Sequence, residues 1–260
     1  MRVALALLLL PALAWAQEGP EPAEGEQAPK PAKAGDVEIG EPGTVIEDRA
    51  VARQEAVRFQ KAMKEAKTPA EEIEALERLG KWDHPEILKA ASKYLKDNEH
   101  TVAIAAAKVV AQQKSQADKA GQAPSSALRR ERGDHVICAL FVGMGVLGYE
   151  NKGVINEAEK FFKKDTTETH KAATRYFGYI KYKPAFRLLA QKLDEPVPKN
   201  ANDPSNPPAS YWRERWFEWE SNVPYTRWAI NQLVEGETFD QEAEAKTWAE
   251  THGKEHGIEW

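Results

Sequence analysis

A single cysteine, Cys138, is all that 260 residues contain. No disulfide within the chain can therefore brace the fold, and no thiolate cluster can hold a metal. Long apolar runs are equally scarce. The run from Val3 to Leu13 is shorter than the roughly 20 residues that a membrane-spanning helix needs, and no other apolar run is long enough to span. An excess of basic charge is missing too. The net charge is -5, and the densest basic group, Arg129-Arg130-Glu131-Arg132, is small and interrupted. Nucleic-acid recognition needs a concentrated cationic face, so neither a nucleic-acid partner nor a membrane span is expected. There is no serine nucleophile elbow and no cysteine and histidine pair in a plausible context, which leaves no coherent catalytic set.

What is present begins with a targeting pattern. Met1-Arg2 and the apolar run after it read as a secretory signal peptide over residues 1–16, with Ala14-Trp15-Ala16 as the cleavage site and Ala12-Leu13-Ala14 as a second candidate. The mature chain is then expected from Gln17, exported to the periplasm or secreted, and soluble. No cysteine stands at the cleavage point to carry a lipid anchor. Residues 17–44 are rich in Pro, Glu, Ala, Lys and Gly, with few large apolar side chains to offset the entropy of ordering. A flexible spacer is expected there.

From residue 45 the pattern is helical. Small or apolar pairs recur every 34 residues at Ile104-Ala105, Cys138-Ala139 and Ala172-Ala173. A fourth copy fits upstream after a phase slip of four, because Ala75, Leu79 and Gly80 share the spacing of Ala173, Phe177 and Gly178. Internal repeats of this length indicate stacked helical hairpins, in which each pair buries its apolar stripe only against its neighbours. Along the chain, Glu47 to Lys67 reads as one amphipathic helix with Ala50, Val57, Met63 and Ala66 on its apolar side. Thr68-Pro69-Ala70-Glu71 opens a helix that ends at Gly80. Pro85 opens another to Lys96, and Val102 to Val110 is helical. Gln112 to Ser126 reads as a polar stretch. Asp134 caps Val136 to Leu147, Val154 to Lys164 follows, Asp165 or Thr166 caps a helix to Ile180, and Pro184 starts one to Leu193. Five prolines within 194–210 make that segment a long loop. Residues 211–260 form a last repeat and a C-terminal cap, with Asp240 capping the final helix.

The Leu-Gly, short turn, Pro and second helix of Ala75 to Leu95, repeated from Ala173 to Leu193, resemble HEAT-like repeats of the bacterial exported kind. The resemblance covers residues 70 to 193 and implies an all-α solenoid of antiparallel helical hairpins that presents a surface to a protein partner, with no catalytic residues. Within the broader reading, the repeats occupy 45–193. The tetratricopeptide repeat shares the 34-residue period and stands as a fold-level alternative, although its Trp, Leu-Gly and Tyr signature is not present in order.

Seven aromatic residues fall between Tyr211 and Trp228. Trp212, Trp216 and Trp219 share one helical face, as a core stripe requires. The functional alternative makes Tyr211, Trp212, Trp216, Trp219 and Trp228 a stacking platform for a glycan or an anchor pocket for a protein. His252-Gly253-Lys254-Glu255-His256 matches a zinc-peptidase string, but Gly253 and Gly257 are expected to break the helix that zinc ligation needs. His100, His135 and His170, each 35 apart, read as capping or surface residues. Gly143-Met144-Gly145-Val146-Leu147-Gly148 spells a dinucleotide motif without the strand it requires, and Gly148 aligns with Gly80 and Gly178 as a helix end. Cys138 takes a small core position. These readings lead to a non-catalytic, exported protein-binding or scaffold module without cofactor or metal. Recognition of a cell-wall polysaccharide is the alternative, and a zinc-dependent hydrolase using His252, Glu255 and His256 stands behind both.

Overall fold

The computed structural model describes residues 37–129, 133–163, 167–196 and 204–260. The expected signal peptide, most of the spacer, Arg130 to Arg132, the capping positions Asp165 and Thr166, and part of the Pro-rich loop lie outside the described residues.

The described chain is all-α. Its helices are α1 (Arg49–Glu65), α2 (Pro69–Gly80), α3 (Pro85–Ala91), α4 (His100–Ala111), α5 (Ala117–Leu128), α6 (Asp134–Val146), α7 (Lys152–Lys163), α8 (Thr167–Tyr179), α9 (Phe186–Ala190), α10 (Ala209–Leu233) and α11 (Glu242–His256). None of them is long and apolar enough to cross a membrane. A parallel bridge between β1 (Thr44–Val45) and β2 (Trp82–Asp83) is the sole strand pairing among the described residues.

The even-numbered helices form a row: α2 packs on α4, α4 on α6, α6 on α8 and α8 on α10. The first residues of α4 and α6, His100 and Asp134, stand 34 positions apart, the period read from the sequence. Odd-numbered helices cover the row, with α1 on α2, α3 on α4, α5 on α6 and α7 on α8. Helix α6 is enclosed on every side, and Val136 through Gly145 are all buried, which explains why its sequence is apolar all round rather than striped.

Small residues set the spacing along the row. A side chain on Gly80 would strike Gln112 and stand 3.1 Å from Val109 of α4; one on Gly143 would stand 3.2 Å from Ala111 of α4. A Cβ on Gly145 would lie 2.9 Å from Tyr179 of α8, and one on Gly178 would lie 3.1 Å from the Ala229 Cα of α10. Close helix approach over small residues is what lets ridges of one helix enter grooves of the next. Gly80 and Gly178 are therefore packing positions inside helices. Of the three aligned glycines, Gly148 alone has a left-handed φ, +66°, and it ends α6.

Several local expectations change. Helix α1 buries Ala52, Ala56, Phe59 and Met63, while Val57 is exposed, because α2 and α3 cover the face next to the expected one. The stretch expected to be polar contains α5, whose Ala120, Gly121, Pro124, Ala127 and Leu128 are buried. Small side chains gave it a weak periodic signal, and its closeness to the fold shows at Gly121, where any Cβ would collide with Tyr149. The helix from Pro85 tightens to 3-10 geometry over Ser92–Lys96, and the one after Tyr182 begins as a 3-10 turn over Lys183–Ala185. Gly133, not Asp134, stands at the N-cap of α6. Gln241 stands at that of α11, where the Glu242 N–H donates to the Asp194 carboxylate at 2.8 Å, while the Asp240 carboxylate pairs with Arg227 at 3.0 Å. Thr68 caps α2 as expected: its hydroxyl accepts from the Glu71 N–H at 3.3 Å.

Candidate functional site

Residues 37–46, the last part of the expected spacer (17–44) with the two residues after it, do not hang free. They form an extended strap laid across the even-numbered helices. At one end the Arg175 guanidinium of α8 donates to the Val37 carbonyl at 2.9 Å. At the other, the Gly43 N–H donates to the Gln112 carbonyl at 3.2 Å, Thr44 N–H to Lys81 at 2.8 Å and Ile46 N–H to Asp83 at 3.1 Å. Six residue steps of extended chain reach about 20 Å, the distance of two steps between packed helices at about 8–10 Å each. The strap thus runs from α8 to the end of α4. Its side chains alternate: Val37 and Ile39 are half-buried against the core, Glu38 and Gly40 exposed, as period two in an extended segment requires.

The seat is built by buried polar groups. Gln113 is wholly buried; its amide donates to the Trp82 carbonyl at 2.8 Å and its carbonyl oxygen accepts from the His84 N–H at 3.1 Å. Asp83, 1% exposed, accepts from the Ser115 N–H and hydroxyl, both at 2.7 Å. These bonds fix β2 so that the Lys81 and Asp83 carbonyls face the strap. Two glycines let the strap come close. A Cβ on Gly43 would lie 2.6 Å from the Trp82 carbonyl carbon, and one on Gly40 would lie 2.5 Å from the Gln112 side-chain nitrogen.

Open space flanks the strap on both sides. A cleft of about 510 Å³ lies against Glu38 and Ile39, walled by Ile73 and Glu77 of α2 and by Ile104 and Lys108 of α4. Another, of about 450 Å³, lies between Glu38 and the side chains of Arg175, Tyr179, Tyr225 and Trp228. Tyr179 and Trp228 meet edge to face at 5.0 Å. The strap fills the middle of a longer groove whose walls are mostly apolar, with Lys108 and Glu77 in one cleft and Arg175 in the other.

Of the five aromatic candidates, Trp228 alone reaches this groove. The rest lie toward the start of α10, with Trp216 about 18 Å along the helix from Trp228. Trp219 packs on the core and donates its indole N–H to the Leu193 carbonyl at 3.1 Å. Trp212 and Trp216 are half-buried, and Tyr211 and Phe217 are exposed. The face is neither a closed core stripe nor an open platform. The residues missed in the sequence are Val37, Ile39, Gln112, Gln113 and Arg175. Only the apolar alternation Val37-Glu38-Ile39 signalled an extended segment.

The histidines also sit differently from expectation. Helix α11 runs through Gly253 to His256, because Gly257 takes φ +67° and the Ile258 N–H folds back to the Gly253 carbonyl at 2.8 Å. His252 and His256 do share a face, but both rings lie on Trp248, at 5.9 and 5.1 Å. Among the described residues no three His, Cys, Asp or Glu side chains are grouped to hold a metal ion. His170 is buried, with Nδ1 2.8 Å from the Phe162 carbonyl and its ring stacked on Phe162 at 4.3 Å. It is a packing histidine rather than a surface one. Gly143 and Gly145 lie inside α6, far from the strand-to-helix turn of a dinucleotide site. Burial pushes the Cys138 thiol up to about 12, with the Glu168 and Asp134 carboxylates adding to the rise.

Comparison with protein-family models, with curated proteins and with solved structures returns no match to the chain.

Proposed function

We propose that this chain is an exported, non-catalytic protein-binding module, a HEAT-like α-solenoid whose even-numbered helices form a groove for extended polypeptide. One observation carries the reading: the chain's own residues 37–46 lie in that groove as extended main chain, held through backbone atoms by Arg175, Gln112 and β2. A groove that grips backbone atoms and offers pockets for alternate side chains is a recurring mode of peptide recognition. Export rests on the residue pattern of the first 16 positions.

The test is selection of displayed random peptides on the immobilised full chain. Enriched peptides are expected to lose binding to a Lys108→Glu variant and to keep it with a Trp216→Ala, Phe217→Ala variant. Absence of enrichment over an unrelated helical protein refutes the reading. The exposure of Tyr211 and Phe217 beside half-buried Trp212 and Trp216 favours glycan stacking as a second reading. It requires that soluble cell-wall polysaccharide change the tryptophan fluorescence of the wild type and leave that of the aromatic variant unchanged.

A further inference from the structure

The strap is bound to the groove in a way that suits release as well as occupancy. Its apolar side chains Val37, Ile39 and Ile46 are only half-buried. Val45 is 57% exposed, and β1 as a whole points no side chain into the core. Most of the hold is main-chain hydrogen bonding that any extended polypeptide of compatible shape can supply. Space remains on both sides, against Ile104 and Lys108 at one and against Arg175 and Trp228 at the other. A longer or bulkier occupant than the strap has room there.

We propose that residues 37–46 are a built-in competitor, and that the groove's true occupant is an extended segment of a partner polypeptide in which apolar residues alternate with acidic ones. The inference rests on the peptide-groove reading above and names both the ligand chemistry and its regulation. The alternation follows from the strap itself: Val37 and Ile39 face the helices while Glu38 stands between them, lining both clefts. The acidic preference follows from Glu38 itself, which lines both the cleft that holds Lys108 of α4, with Glu77 of α2 in the same wall, and the cleft that holds Arg175 of α8. Glycine where the chain crosses β2 follows from Gly43, whose Cβ would lie 2.6 Å from the Trp82 carbonyl carbon and 2.9 Å from the Asp83 nitrogen. Because the strap passes directly into α1 through Ile46 and the Asp48 cap, it competes as a tethered ligand at an effective concentration in the millimolar range. Partner binding is therefore held back until the strap leaves.

The experiment uses full-length chains and a fluorescent peptide of residues 37–46 as the probe, read by polarisation. Gly43→Val unseats the strap by backbone collision without altering any residue of the helices. Ile39→Asp is the second release variant, and far-UV circular dichroism and thermal melting verify that each is folded. Both are expected to bind the peptide at least about tenfold more tightly than the wild type, which must first open. Adding Lys108→Glu to either is expected to weaken binding by about tenfold, and a peptide with Glu38 changed to Gln is expected to lose a comparable factor. Equal affinity of wild type and folded release variants, or no binding to either, overturns the proposal. Peptides selected on the groove would still bind in that case, so the peptide-groove reading fails separately. A wild-type chain that dimerises with rising concentration, and ceases to do so with Ile39→Asp, makes a second copy the occupant and also overturns it.

Discussion

Replacing Asp83 by alanine removes the acceptor that ties the Trp82 to His84 turn to the loop after α4. The carboxylate is buried and receives two bonds from Ser115, each 2.7 Å long. A hydrogen bond to a charged group contributes about 1.5–3 kcal/mol. Ser115 is exposed, so its freed N–H and hydroxyl reach water, and the low end applies to each bond: about 3 kcal/mol in total. Asp83→Asn keeps the shape and one acceptor, and is expected to cost about half as much. For a folded region of this size 1 kcal/mol lowers Tm by about 2–4 °C, so Asp83→Ala should lower it by about 6–12 °C in scanning calorimetry. Hydrogen exchange supplies a second readout. The Ile46 N–H donates to the Asp83 carbonyl, so strap amides should lose protection before those of α6. A fall in Tm below about 2 °C, or a strap whose amides exchange no faster than in the wild type, refutes the view that Asp83 holds the seat.

Other outcomes test the packing and the titrating groups. Gly178→Val drives a branched side chain into Trp228 and the Ala229 backbone, and is expected to cost about 1–3 kcal/mol in urea unfolding; a neutral result contradicts close packing of α8 on α10. The Cys138 thiol, pushed up to about 12, should resist iodoacetamide at neutral pH until urea unfolds the chain, and native labelling within a few-fold of the unfolded rate contradicts its burial. Glu86 is held below its usual 4.5 by the Arg49 hydrogen bond first, with burial opposing and Arg53 adding to the effect. A carboxyl lowered in the folded state stabilises above its unfolded value and loses that contribution as pH falls through the folded one. The stability gap between wild type and Glu86→Gln should thus be present at neutral pH, vanish in acid and shrink with salt; a gap unchanged across pH removes the pair linking α1 to α3.

Helix α2 was legible almost to the residue because its ends are local events. Thr68 and Pro69 begin it through bonds within one turn, and Gly80 is its last residue before the Lys81 cap. The 34-residue recurrence was legible because a repeated packing position demands a small side chain each time, as Ala105, Ala139 and Ala173 show by their burial. Helix α5 was not, since Ala120, Gly121, Pro124, Ser125 and Ala127 are buried by closeness to α6 and Tyr149 rather than by a hydrophobic stripe. The buried face of α1 was misjudged for a related reason: alanines occur on two sides of that helix, and the neighbours chose between them.

The amino-acid sequence alone determined helical class and the Thr68 cap of α2, because each depends on residues within a few positions of one another. Only the tertiary structure decided that residues 37–46 belong to the folded body. Arg175 is 138 positions from Val37, and no local pattern records which distant carbonyls an Arg, a Gln or a strand edge will meet. The split of the aromatic group had the same origin. Trp228 borders the groove and Trp219 packs on the core because the neighbours of α10 differ along its length, which the spacing of its tryptophans does not encode.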